Sequence, residues 1–177
     1  SGKQYYKYIQ KLSNFKKMLL PIPQMNVINS GRHAGIENDI QEHMIVPTGF
    51  KSFKEALRAG VETYHALKNI LKKKYGAKAI LLGEEGGFAP PIKNIDERLE
   101  LMLKSIKEAG YTKKIKLALD CAASEFFDEK SRKYNILNKK YNSEELIDFY
   151  KNLVKKFPIV SIEDGFAQDD WQGWKFF

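Results

Sequence analysis

The sequence predicts an α/β domain built from βα units. Three observations carry that expectation: helical apolar periodicity with start and stop signals recurs in three stretches, short apolar runs lie between them, and turn or charged residues bound each run. At 177 residues, 43% of them hydrophobic, the chain is long enough to bury a core, and no stretch is apolar and long enough to span a bilayer.

From the N-terminus, Ser1 to Lys11 is polar and aromatic and lacks the continuous apolar run of a signal peptide. Tyr5 to Leu12 reads as the end of a preceding helix. Leu20-Pro-Ile-Pro-Gln-Met-Asn-Val-Ile-Asn-Ser-Gly leads into a strand, because proline is tolerated at a strand's start and not in its middle. Ile40 to Val46, Ile80 to Leu82, Ile115 to Asp120 and Ile159 to Glu163 read as buried strands.

Ser52 and Glu55 form a capping-box pattern, after which Phe53, Leu57, Val61, Tyr64, Leu67 and Leu71 mark one helix face up to Gly76. Asn94 and Glu97 repeat the cap, with Leu99, Met102, Leu103 and Ile106 leading to a C-terminal Gly110. A third helix starts near Ser143, carries Leu146, Phe149, Tyr150, Leu153 and Val154, and ends before Pro158. Trp171 to Phe177 reads as the start of another.

A formal charge of +8 admits an anionic partner such as nucleic acid, or an anionic substrate. The lysines argue against nucleic acid. They fall in last turns of helices (Lys72, Lys73, Lys74; Lys155, Lys156) or in loops (Lys113, Lys114; Lys139, Lys140), where the helix dipole and solvent favour them, and without aromatic interleaving. The single cysteine, Cys121, cannot form an internal disulfide. It is read as a small buried apolar residue, and a reducing, cytoplasmic location is the expectation.

The candidate chemistry lies at strand ends. Asp120 closes one strand, and Glu163 with Asp164 closes another. In parallel α/β architectures C-terminal strand ends form the active-site rim, so these carboxylates converge there. Oxygen ligands without a thiol or imidazole cluster suit a hard cation such as Mg2+. A strand-end carboxylate can instead cap the next helix, but two matched ones favour metal. Gly83-Glu-Glu-Gly-Gly-Phe-Ala-Pro-Pro reads equally as a ligand-facing loop bearing Glu85 or as a surface turn. Asn29-Ser-Gly-Arg-His-Ala-Gly, followed by Gln41-Glu42-His43, says little on pattern alone, and His43 and His65 read as structural or surface residues.

In this order, Leu20-Pro-Ile-Pro-Gln-Met-Asn-Val-Ile-Asn, His33-Ala-Gly, Gln41-Glu-His-Met-Ile-Val-Pro-Thr-Gly, Glu85-Gly-Gly-Phe-Ala-Pro, Leu119-Asp-Cys-Ala-Ala-Ser-Glu-Phe and Ser161-Ile-Glu-Asp-Gly-Phe resemble enolase over almost the whole chain. The resemblance implies the first half of an enolase-type (β/α)8 barrel over residues 19–177, with residues 1–18 the tail of a preceding domain. It implies a Mg2+-dependent lyase that interconverts 2-phosphoglycerate and phosphoenolpyruvate, working as a homo-oligomer when intact. It makes Glu85 the general acid, Asp120 and Glu163 two of three Mg2+ carboxylates that also face substrate, and His33, Gln41 and Glu42 substrate-facing.

Three positions depart from the pattern: Ser30 stands where glycine is usual, Glu84 where aspartate is common, and His43 where phenylalanine is common. Length departs as well, since a complete barrel needs roughly 250 residues. The third carboxylate, the lysine base and later phosphate-binding residues are therefore expected outside this chain, leaving it inactive alone. A competing reading is a truncated, non-catalytic relative that binds a partner through its basic surface or an exposed strand edge.

Overall fold

The computed structural model describes Gly2 and residues 4–177; Ser1 and Lys3, within the expected 1–18 tail, lie outside the described residues. Capping chemistry sets where the helices begin. After α1 (Tyr5–Ser13), which buries no residue, come strands β1 (Met25–Asn29) and β2 (Glu42–Val46). Helix α2 (Phe53–Tyr75) starts at Ser52, whose hydroxyl accepts the Glu55 N–H at 3.2 Å and donates to the Glu55 carboxylate at 2.9 Å. Helix α3 (Ile95–Glu108) starts at Asn94, whose side chain accepts from the N–H groups of Asp96 and Glu97.

Strand β3 (Lys116–Asp120) follows, then a small antiparallel meander of β4 (Phe127–Asp128), β5 (Lys133–Ile136) and β6 (Lys139–Tyr141). Helix α4 (Ser143–Lys156) carries a full capping box between Asn142 and Glu145. Strand β7 (Ile159–Glu163) and helix α5 (Trp171–Phe176) complete the chain.

The main sheet runs β1-β2-β3-β7. Three expectations are corrected here. The first two pairings are antiparallel and only β3·β7 is parallel, so the chain opens ββαα before it settles into βα units. Ile80 to Leu82 is not a strand: Ala77–Ile80 is a single 3-10 turn, and Leu82 makes only an isolated bridge to Phe88. Three apolar residues were too few to pair once the loop ahead folded back on β1. Lys139 and Lys140 lie in β6 rather than in a loop. The meander and the consecutive helices left no clear mark, because short half-exposed strands read as loop.

Alternation along β2 and β3 divides the sheet into two faces. Ile45, Leu117 and Leu119 join Leu67 and Leu71 of α2 and Leu99, Met102 and Ile106 of α3 in the main core. Met44, Val46 and Ala118 form a separate cluster on the other face, which is also the face of Glu42 and Asp120. The apolar stripe expected along α2 holds only in its C-terminal half. Phe53, Leu57 and Val61 are exposed, while Ala56, Ala59, Gly60 and Thr63 turn inward. The Met25 side chain of β1 packs against the helix there, where a Cβ on Gly60 would stand 3.2 Å from Met25 Cε, so small residues take the buried positions. Among the described residues, no helix is long and apolar enough to cross a membrane.

Candidate active site

Sheet register assembles the site. Asn29 pairs with Glu42, Glu42 with Asp120, and Asp120 with Glu163, so one row across four strands ends in an amide and three carboxyl groups. Because β2 runs against β3, Glu42 reaches this row from the start of its strand and Asp120 from the end of its own. The ends of β3 and β7 are tied further by the Cys121 N–H on the Glu163 carbonyl (3.0 Å) and the Ala123 N–H on the Asp164 carbonyl (2.9 Å).

The Glu85 loop folds over this row. Its turn closes through the Gly83 N–H on the Gly87 carbonyl (2.8 Å), and it is stitched to β1 by Asn29 N–H to the Phe88 carbonyl (2.8 Å) and Phe88 N–H to the Val27 carbonyl (3.0 Å). Tyr64 stacks on Phe88 with ring centroids 4.3 Å apart and donates its hydroxyl to the Gly86 carbonyl at 2.8 Å. The glycines have a packing reason: a Cβ on Gly83 would lie 2.7 Å from Asn29 Cβ, and one on Gly87 would lie 2.8 Å from Asn26 Oδ1. The segment left open between ligand-facing loop and surface turn thus lies against the carboxylate row.

His33 arrives on a single 3-10 turn, Gly31–Ala34. Its Nδ1 lies 3.4 Å from Glu42 Oε1 and 4.0 Å from Glu85 Oε1, and its Nε2 lies 4.0 Å from Glu84 Oε2. One ligating atom from each of His33, Glu42 and Glu85 falls within a 4.8 Å cluster. Gln41 is half-buried and lines an adjoining groove of about 440 Å3 with Arg32, Glu37, Glu125 and Phe126. Among the described residues, no side-chain hydrogen bond joins Gln41 to the Glu42 cluster.

Charge follows from this packing. Burial pushes the Glu42 carboxyl up to about 8, helped by its hydrogen bond to Glu85 and by the negative charges of Glu85, Asp120 and Glu163. The packing thus favours one proton held between Glu42 and Glu85 across their hydrogen bond. That hydrogen bond, with the nearby His33, holds Glu85 below its ordinary value. The two groups titrate as a pair sharing one proton.

Asp120 and Glu163 are both raised, first by burial and then by neighbouring carboxylates. Among the described residues, no lysine or arginine forms an ion pair with either. Adjacent strand-end carboxylates, starved of positive charge and flanked by Asp164, match the oxygen-only donor set that Mg2+ takes. Asp120 and Glu163 fit that ion. His33, with its imidazole, suits a softer cation better.

Cys121 is fully buried and its thiol is pushed up to about 12 by burial, which makes it inert. Two site features were missed from sequence. Asn26 and Asn29 place their amides beneath the Glu85 loop, Asn26 within reach of the Glu85 carboxylate, and nothing in a strand pattern marks an asparagine for that role. Arg98 is fully buried on α3; a charge inside the apolar stripe of Ile95, Leu99 and Met102 was the readable signal.

Known proteins share this architecture. The family described as enolase, C-terminal TIM barrel domain, matches residues 17–177. The enolase of Methanopyrus kandleri is 58% identical over 156 residues, covering 87% of this chain and 36% of its own length. That of Methanocaldococcus jannaschii is 51% identical over 168 residues, 95% of this chain and 38% of its own. That of Thermococcus gammatolerans is 50% identical over 174 residues, 97% of this chain and 40% of its own. The chain thus spans well under half the length of these relatives. With its barrel strands, its strand-end carboxylates and a family match over nearly all its residues, the chain belongs to the enolase family.

Proposed function

We propose that this chain supplies one part of the active site of a Mg2+-dependent lyase that reversibly dehydrates 2-phosphoglycerate to phosphoenolpyruvate. The observation that carries this reading is the register row Glu42–Asp120–Glu163, with Glu85 and His33 folded onto it. Asp120 and Glu163 would hold the metal, which would withdraw charge from the substrate carboxylate when bound. Glu42 and Glu85 share one proton across their hydrogen bond. Glu85 delivers it to the departing hydroxyl, which leaves as water, and returns to the carboxylate form. His33 stands beside both glutamates and orients the substrate end of the site, with Gln41 at its margin.

In the forward direction a base must take the carbon-bound proton. Among the described residues no lysine is ion-paired with this carboxylate group, and we assign the base to the rest of an intact barrel. Residues 1–18 are the tail of the preceding domain, consistent with an α1 that buries nothing. The intact protein works in the cytoplasm as a homo-oligomer.

A chimera tests this reading: residues 17–177 replace the matching segment of one of the relatives above, and formation of the enol phosphate is followed by its ultraviolet absorbance. The chimera is expected to turn over 2-phosphoglycerate, and the isolated 177-residue chain is expected to show no turnover. A folded but inactive chimera, or an active isolated chain, contradicts the assignment.

A further inference from the structure

Arg98 is among the largest fully buried side chains of the described residues, and it serves no role in the mechanism above. Its guanidinium meets partners from four separate segments. Nη1 donates to Ser30 Oγ at 2.7 Å and to Asp39 Oδ1 at 3.0 Å, Nη2 donates to Asp39 Oδ2, and Nε donates to the Ile92 carbonyl at 2.9 Å. Nη1 also lies 3.3 Å from His43 Nε2. With a cation on that side the imidazole nitrogen accepts, so His43 is neutral. Burial and Arg98 both push its titration well below the ordinary range.

These partners sit at the roots of two loops. Ser30 and Ile40 bracket the segment carrying His33, and they are joined by the Ser30 hydroxyl on the Ile40 carbonyl and the Ser30 N–H on the Gln41 carbonyl (2.9 Å). Asp39 Oδ1 also accepts the Ile40 N–H at 2.8 Å. Ile92 lies where the Glu85 loop returns to α3. One guanidinium therefore binds the base of both loops whose tips meet at Glu42.

A buried ion pair is a poor stability device, because desolvating two charges offsets most of their attraction, and well-packed apolar replacements are often as stable. What such a pair adds is a fixed geometry. Two of the unusual residues in the sequence, Ser30 and His43, both turn toward Arg98, so they read as parts of one arrangement.

We propose that Arg98 is a positioning residue: by clamping Ser30, Asp39 and the Ile92 carbonyl, it sets the approach of His33 to Glu42 and Glu85. The geometric claim stands on the contacts themselves. Its consequence for turnover rests on the reading in the previous subsection.

The chain has three histidines in three environments, so histidine-selective NMR reports on the clamp directly. His33 lies in the site, His43 is buried against Arg98, and His65 is exposed on α2 as an internal control. Because Arg98→Met strands a buried Asp39 charge, the principal variant is Arg98→Met/Asp39→Asn, with Arg98→Lys as the conservative companion. The double variant is expected to stay folded, keep the His65 signals in place, and shift and broaden those of His33. Arg98→Lys is expected to recover part of the His33 shift.

In the chimera, the double variant is expected to lower kcat at least tenfold with a small change in KM. Unmoved His33 signals in a folded double variant overturn the proposal. Loss of all cooperative folding in both variants overturns it too, since Arg98 would then hold the whole core rather than two loops. If the wild-type chimera lacks activity while the His33 signals respond as expected, the clamp stands and the enolase reading fails.

Discussion

Glu85→Gln in the active chimera is expected to reduce kcat by about 10²–10⁴-fold, the range associated with one general acid. The amide keeps the shape and most of the hydrogen bonding at the loop tip, so melting temperature and Mg2+ affinity are expected to stay near wild type. The distinguishing readout is Glu42→Gln. Because Glu42 and Glu85 share one proton across their hydrogen bond, the amide of this variant still donates a hydrogen bond to Glu85 but cannot pass a proton on. Both variants are therefore expected to fall by similar factors, and the double variant by little more than either alone, as for groups acting as a unit. An unimpaired Glu85→Gln chimera would remove the proton pair from the mechanism.

The second large effect is on stability and runs with pH. The folded Glu42 carboxyl is raised from 4.5 to about 8, so between those values the folded chain binds more protons than the unfolded one. Stability from this group is complete below pH 4.5, declines as pH rises, and is lost once pH passes about 8. Glu85 is shifted the opposite way and offsets part of this. The net change is therefore smaller than the Glu42 shift alone would give. Glu42→Gln is expected to flatten the profile and to exceed the wild-type chain in stability above pH 8. Urea unfolding at pH 5 and pH 9 measures both. A wild-type stability that rises over that interval, with no difference in the Gln variant, would show Glu42 ionised throughout.

Much of this architecture was legible because local rules and tertiary packing agreed. Ser52, Asn94 and the segment at Asn142 marked helix starts through short-range hydrogen bonds, which are written in adjacent residues. The strands ending in Asp120 and Glu163 were readable as apolar runs closed by a charge. Strand direction was not, because nothing within Glu42–Val46 distinguishes an antiparallel partner from a parallel one. The N-terminal half of α2 misled for a related reason: its large apolar residues sit opposite the side that a close approach to β1 reserves for Ala56, Ala59 and Gly60. For the site, pattern alone marked Asp120 and Glu163 and left Glu85 open. Family resemblance supplied the role of Glu85, and only the fold brought Glu42 and His33 against it. The Arg98 clamp reaches Ser30, Asp39 and His43, which lie 55 to 68 positions away, a separation at which sequence pattern carries no signal.

In the proposed site, strand register would build an oxygen-only Mg2+ site at Asp120 and Glu163, distinct from the proton pair of Glu42 and Glu85. Titration of the isolated chain with Mg2+, followed by carboxyl carbon NMR, tests it most directly. The predicted result is that the Asp120 and Glu163 signals move together and saturably, that Asp120→Asn abolishes the response of Glu163, and that His33 ring signals stay in place. Saturable shifts confined to His33, Glu42 and Glu85, with Asp120 and Glu163 unmoved, would place the ion elsewhere and rule out that site.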